Sequence, residues 1–456
     1  MPLDCGIDIG STNLKVVLVN EEGRTMHVRS IPSPRKDDGI GPVTDALDLV
    51  DRLEALIIEG WGQCGNGEPL RSIATAGVGE DGIGVDGHLR PTGYAIPWFD
   101  RRAAAEAAAL RERVDVSDRT GIAVEADRTV AKWGWLRNHR PAELIRAKHW
   151  LALTDFPAAW WSGKPFMSAS LAPRTACFDL LQREWIGELL ELAGAPPMPD
   201  IIGAGVALGG VRMGRLRESG AASAATVVAA GGHDHPVSAS IIRRLDPDGI
   251  VDSLGTANLL YGELPARGVL PRSPGLAYSL PPAGGDALSC LGVLELSAAL
   301  HAVREQGDAF RAFLGQQRLP GGPPADFQSM ASETTDARRV LEGVTFKAKK
   351  LLNQMHRVGV APGRIYTSGG WSRSHGFTEL RASIFGQPIH VVKDMEVTAV
   401  GAAQFGALAA TGRADSPLGP QDINTVEPVA EWAVAYDRLF AEHDDSEASG
   451  KRGEAG

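Results

Sequence analysis

Blocks of apolar residues separated by short polar turns dominate the first 31 positions. Residues 5–9 are apolar except for Asp8, Gly10-Ser11-Thr12-Asn13 has turn chemistry, and residues 14–19 are apolar again apart from Lys15. Glu21-Glu22-Gly23 makes a second turn before residues 25–31. The pattern predicts an antiparallel β-meander with a Gly-Ser-Thr tip. Residues 250–254, the turn Gly255-Thr256-Ala257-Asn258 and residues 259–262 repeat the design in the second half of the chain. Two hairpins of one design imply a duplicated fold, with two loops that could clamp one phosphate chain through amides and hydroxyls.

Between and beyond the hairpins, helical and strand periods alternate. Residues 43–60 bring Leu47, Val50, Leu53, Leu56 and Ile57 to one helical face. Helices are also expected over 103–113, 131–138, 147–154, 185–192, 236–244, 377–385 and 398–410. Strands are expected at 73–78, 365–368 and 389–392, with short strands within 203–213. Residues 224–230 read as a buried strand that ends on Gly231-Gly232 and delivers a loop carrying His233-Asp234-His235. The alanines and glycines of 398–410 predict close helix-on-helix packing, and residues from His443 onward are polar and expected to fray.

Several of these stretches carry candidate chemistry beside a plainer reading. A carboxylate at the end of a buried strand serves as a general base if a hydroxyl comes within hydrogen-bond reach, yet Gly-Gly-x-Asp is also an ordinary turn. At the first hairpin Gly10 permits close approach, Ser11 and Thr12 offer donors, Lys15 a charge, and Asp8 a ligand for magnesium. The same residues also suit a simple hairpin. Trp98 beside Asp100, Arg101 and Arg102 is either a sugar platform or a core tryptophan at a helix start. Gly369-Gly370-Trp371-Ser372-Arg373-Ser374, between a strand and a helix, puts a glycine turn at a ligand crevice. No G-x-x-x-x-G-K-[ST] occurs, which argues against a P-loop enzyme.

Composition narrows the classes. At 456 residues the chain is long enough for two cores. With 43% hydrophobic and 22% charged residues it has an ordinary globular balance, and a net charge of −10 argues against nucleic-acid or anionic-membrane binding. The four cysteines form no C-x-x-C pair and suggest neither a disulfide framework nor a zinc site. A strand pattern that begins within a few residues leaves no room for a signal peptide, and no apolar run approaches a membrane span. A cytoplasmic protein is expected.

Taken in order, Asp8/Gly10-Ser11-Thr12, Trp98-x-Asp100-x-Arg102, Gly232-His233-Asp234, Gly255-Thr256 and Gly369-Gly370-x-Ser372-Arg373-Ser374 resemble the FGGY carbohydrate kinase family over residues 3–413. Phe178-Asp179 and Glu396-x-Thr398-Ala399-x-Gly401-Ala402-Ala403 support the likeness. The resemblance implies an α/β protein of two actin-like (ribonuclease-H-like) ATPase domains with an interdomain cleft. Residues 1–240 would bind the sugar, 241–415 the nucleotide, and 416–456 would form a C-terminal helix and polar tail. It further implies ATP and Mg2+ as cofactors and a small sugar or polyol as substrate, with a homodimer as the assembly to test.

Residue by residue, Asp234 matches the family's catalytic base. Asp8 and Asp234 match the metal side, and Glu80, Trp98, Arg102, Asp127, Asp234 and His235 fall at substrate contacts. Gly10, Ser11, Thr12, Lys15, Gly255, Thr256, Gly369, Gly370 and Ser372 fall at the ATP phosphates and nucleotide. His235 stands where the family usually has glutamine, asparagine or threonine, and residues 300–339 form a shorter segment than is typical. Gly-Gly-His-Asp resembles the deoxyketose-kinase branches, whereas Trp98-x-Asp100-x-Arg102 resembles the xylulose branch. A ketopentose-like substrate is favoured. The alternative is a non-catalytic sugar- or nucleotide-binding regulator on the same fold.

Overall fold

The structure, a computed structural model, describes residues 2–64, 67–255, 257–271, 273–296, 300–325, 336–393, 396–413 and 417–453. The first meander forms as its pattern requires: β1 (Asp4–Ile9), β2 (Asn13–Val19) and β3 (Thr25–Pro32). Asp8 pairs with Lys15 and Ile9 with Leu14 across the first hairpin. Ile7, Ile9, Leu14, Val16 and Leu18 are buried in one core. Helix α1 (Ala46–Cys64) buries Leu49, Val50, Leu53, Leu56 and Ile57 in the same core. Its first turn is capped by Asp45, whose Oδ1 accepts from the amide of Leu47 at 3.0 Å. Leu47 itself, expected on the apolar face, is exposed.

Three further strands complete this sheet: β4 (Ser72–Gly77), β5 (Ala207–Gly210) and β6 (Val227–His233). The order is β5-β6-β4-β1-β2-β3, with β1, β4 and β6 mutually parallel. The second sheet contains β7 (Ile250–Leu254), β8 (Asn258–Pro265), β9 (Leu276–Ser279), β10 (Ala287–Leu294), β11 (Ile365–Ser368), β12 (Ile389–Val392) and β13 (Ile423–Val426). Its order is β9-β10-β8-β7-β11-β12-β13, with β7, β11 and β12 parallel. The meander β1-β2-β3 with parallel β4 thus corresponds to β7-β8-β10 with parallel β11. The correspondence reaches single residues. A Cβ on Gly77 would collide with the carbonyl oxygen of Ile9, and one on Gly369 with that of Leu254.

Two helices join the halves. Helix α2 (Asp234–Leu245) leaves β6, and α3 (Val397–Thr411) lies beside it and across β1, β4 and β6. The small residues of α3 therefore face a sheet as well as a helix. A Cβ on Gly6 would overlap the Ala399 carbonyl, and one on Gly401 would lie 2.7 Å from the carbonyl oxygen of Val237. Val17, Ala239, Ile242, Val251, Leu259, Val400 and Ala403 make one buried seam across the two halves.

Two expectations change. Residues 147–154 contain a strand, His149–Ala152, because this stretch pairs antiparallel with Gly82–Val85 rather than standing alone as a helix. No loop separates β6 from α2: the strand runs to His233 and Asp234 opens the helix.

Candidate active site

Asp234 is delivered by β6, and two glycines make that possible. The β6–β4 register shifts between Ala229 and Gly232, so the strand bulges just before its end. A Cβ on Gly231 would strike the Thr75 carbonyl, and Gly232 adopts φ 151° against the Ser170 hydroxyl. Ser170 Oγ then accepts the His233 amide at 3.0 Å, fixing the residue before Asp234. Oδ1 of Asp234 accepts the His235 amide at 2.7 Å, with His233 Nε2 at 3.2 Å and His235 Nε2 at 3.6 Å. No other described residue bonds Oδ2.

Asp8, which feels the charge of Asp234, leads into the first hairpin. All three carbonyls of its tip are held from behind: Gly10 by the Ser33 hydroxyl at 2.6 Å, Ser11 by Arg35 at 3.0 Å, and Thr12 by the Ser33 amide at 2.9 Å. With the carbonyls tied back, the amides and hydroxyls of Ser11 and Thr12 donate to no other described residue. Successive free amides of this kind make an anion-binding concavity.

Asp8 sits half-buried on β1. Burial pushes its carboxyl up to about 7, and the nearby charges of Asp234 and Glu396 push the same way against Lys15. Lys15 reaches across the molecule to Glu396, Nζ to Oε2 2.6 Å. Asp8 thus lies within electrostatic reach of two further carboxylates, Asp234 and Glu396, and of the Lys15 ammonium. Carboxylate oxygens are the donors magnesium prefers, so Asp8 suits that ion.

The opposite wall comes from distant segments. Oε1 of Glu80 receives Arg128 Nη1 at 2.6 Å and Arg174 Nε at 2.8 Å, with Arg174 Nη2 also in contact. Burial alone would raise this carboxyl, but Arg174 and Arg128 outweigh it and hold Glu80 well below the usual carboxylate range. Asp127 is half-buried beside Arg128, at 3.4 Å. Trp98 is 39% exposed and so is not a core residue; its amide donates to Asp81 Oδ1 at 2.7 Å. Burial pushes Asp81 up to about 6, and its Oδ2 is buried without a partner among the described residues.

Arg102, expected at the substrate, is instead a buried strut. Its Nε and Nη2 hold Asp100 Oδ2 at 3.0 and 2.7 Å, Nη1 holds Asp38 Oδ2 at 2.7 Å, and the guanidinium lies over Trp135. A side chain with nearly every donor committed has little to offer a sugar hydroxyl. His235 is open, its side chain 39% exposed. Sequence reasoning passed over Arg128, Arg174, Ser170 and Asp81. None stands in a recurring motif: Asp81 adjoins Glu80, Ser170 and Arg174 share one short segment, and Arg128 comes from another.

On the second sheet Gly255 mirrors Gly10, its amide donating to Ala257 at 3.0 Å as Gly10 donates to Asn13 at 3.0 Å. Thr256, expected at the phosphates, lies outside the described residues. Beyond β11, Gly369 (φ 100°) packs on Leu254, and the space where a Gly370 side chain would stand is open. Ser372 is buried and its hydroxyl donates to the Gly369 carbonyl at 2.7 Å. It therefore shapes the glycine turn, with only its acceptor lone pairs left for a nucleotide. Under this turn lies a buried ion pair, Arg381 Nη2 to Asp252 Oδ2 2.7 Å, shared with Asn258 at 3.2 Å.

Comparison with known proteins agrees with this layout. The family model described as "FGGY family of carbohydrate kinases, N-terminal domain" matches residues 3–240, and the C-terminal domain of the same family matches 308–410. Xylulose kinase of Escherichia coli K12 is 24% identical over 443 residues, covering 89% of this chain and 90% of that protein. L-fuculokinase of the same organism is 25% identical over 435 residues, covering 88% and 91%. Among solved structures, xylulose kinase from Rhodospirillum rubrum superposes with a TM-score of 0.84 at 22% identity, covering 98% of each chain. Plasmodium falciparum glycerol kinase with ADP gives 0.82 at 14% identity over 98% of each. These two likenesses establish the fold, two actin-like halves. No helix among the described residues is long and apolar enough to cross a membrane.

Proposed function

Since the chain belongs to the FGGY family of carbohydrate kinases, and so moves phosphate from ATP to a sugar hydroxyl, we propose that Asp234 is the base and a neutral ketopentose-like sugar the acceptor. The observation that carries the first part is the state of Asp234. One carboxylate oxygen is fixed by backbone, the other has no partner among the described residues, and the group stands just past a strand's end, within electrostatic reach of Asp8. Oδ2 takes the proton as the hydroxyl oxygen attacks the terminal phosphate.

The residues of the two hairpins divide the remaining work. The Ser11 and Thr12 amides, Gly10 and Lys15 receive the transferring phosphate. Gly255, Gly369, Gly370 and Ser372 line the nucleotide side, with 241–415 as the nucleotide-binding half and 1–240 as the sugar-binding half. Asp8, with Asp234 beside it, would hold the divalent metal, magnesium on its oxygen-only ligands. When bound, that ion neutralises phosphate charge. Domain closure about the α2–α3 seam would exclude water.

Trp98 offers a ring face, and Glu80, Asp127 and His235 offer polar atoms for sugar hydroxyls. Charge decides the class of acceptor. Arg102 is held by Asp38 and Asp100, and Arg128 and Arg174 are both engaged by Glu80, which favours a neutral sugar, with Arg128 Nε alone left without a partner among the described residues. A neutral sugar fits, and the printed activities of the xylulose and L-fuculose kinases named above agree with that. A non-catalytic regulator is disfavoured, because both Asp8 and Asp234 are present and placed.

The test is ADP release with magnesium-ATP against a panel of ketoses, aldoses, polyols and aldonates, run beside Asp234→Asn. The expected result is a neutral ketose as best substrate and a loss of about 10²–10⁴ in kcat for the variant. An aldonate as best substrate, or an active Asp234→Asn enzyme, would overturn the assignment.

A further inference from the structure

His233 is only 4% exposed, yet the chemistry above leaves it without a task. Its main chain is fixed by Ser170, and its ring lies where a side chain on residue 79 would otherwise stand. A Cβ built on Gly79 comes within 2.9 Å of both Cδ2 and Nε2 of the ring. Nδ1 is buried and has no partner among the described residues. Nε2 lies 3.2 Å from Oδ1 of Asp234.

These facts favour one tautomer. A neutral imidazole carries one N–H and one bare nitrogen. A proton on Nδ1 would be buried without an acceptor, while the bare Nε2 faced a carboxylate. A proton on Nε2 has an acceptor within reach. The three donor atoms of His233, Asp234 and His235 do lie within 4.8 Å of one another, a spacing that a transition metal could use. Metal on Nε2 would again leave Nδ1–H buried without the second partner that ligating histidines have.

We infer that His233 is the positioning residue for the base: Nε2–H points to Oδ1 of Asp234 and, with the His235 amide, presents Oδ2 alone to the sugar hydroxyl. Such contacts are often long in the unliganded enzyme and tighten as substrate closes the site. The inference rests on Asp234 being the base. It gives Gly79 a purpose as well, since only a glycine there admits the ring. The role belongs to orientation, so its loss should appear in kcat and leave sugar affinity nearly unchanged.

The experiment compares His233→Phe, His233→Gln and Gly79→Ala with wild type, using D-xylulose or whichever panel sugar outperforms it, with magnesium-ATP. Phenylalanine keeps the ring volume and removes the donor, whereas glutamine returns an N–H near the position of Nε2. Expected are a kcat about 10- to 100-fold lower for His233→Phe, a sugar KM within about threefold, and recovery to within about fivefold of wild type in His233→Gln. Gly79→Ala, which displaces the ring and leaves it intact, should lower kcat in the same direction. Thermal melts identify any variant that fails to fold, and the remaining variants then decide. Full kcat in a folded His233→Phe, a change confined to KM, or a folded His233→Gln no better than phenylalanine would each overturn the inference. Failure of the underlying reading looks different: Asp234→Asn would stay active, whatever the His233 variants did.

Discussion

Replacing Arg381 by methionine removes one partner of the buried pair that underlies the nucleotide turn. Arg381 and Asp252 are both essentially inaccessible, and the guanidinium is flanked by the rings of Phe377 and Phe385. Without it, Asp252 keeps, among the described residues, only Asn258 Nδ2 at 2.6 Å on its other oxygen. A stranded charge of this kind costs about 3–5 kcal/mol.

Urea unfolding followed by circular dichroism measures this. Arg381→Met should be less stable than wild type by about 3–5 kcal/mol. The double variant Asp252→Asn/Arg381→Met removes the stranded charge and should regain part of that loss. A deficit under about 1 kcal/mol, or a double variant no more stable than Arg381→Met, would refute the reasoning.

Lys15→Met should raise the ATP KM about tenfold while the melting temperature barely moves, because its bridge to Glu396 is partly exposed and worth about 0–1 kcal/mol; unchanged ATP affinity would remove Lys15 from the phosphate site. Gly6→Ala should cost more stability than any exposed glycine replacement, since the new methyl overlaps the Ala399 carbonyl and must push α3 off the sheet; a melting temperature equal to wild type would contradict that packing. Despite its burial, Asp38 is held below the usual carboxylate range by Arg102 and by the amides of Ile40 and Gly41. Its contribution is therefore full above about pH 4 and lost as pH falls further, so the stability gap between wild type and Asp38→Asn should narrow on acidification.

What the sequence revealed was local. The two hairpins, their glycine tips and the Asp234 strand were legible because each is a contiguous run with its own turn chemistry. So were the helix beginning near Asp234 and the one over 397–411. Contacts made across long stretches of chain were not. Glu80 meets Arg128 and Arg174 over separations of 48 and 94 residues, and Arg102 meets Asp38 over 64. Those meetings turned Arg102 from a substrate contact into a strut. Residues 149–152 became a strand because a distant strand edge outweighed their weak helical period.

Helix α3 has a consequence for how the protein is made. The face of the first sheet that it covers is complete once synthesis has passed His233, but the helix itself ends at Thr411. At about 5–20 residues per second, the ribosome leaves that face bare for on the order of ten seconds or more. During that time Gly6, Ala74 and Ala229 present a smooth apolar surface with nothing yet made to cover it. The first half thus emerges as an unfinished body awaiting a late segment, and a chain stopped at residue 240 should be found with chaperones or in aggregates, not as a free sugar-binding module.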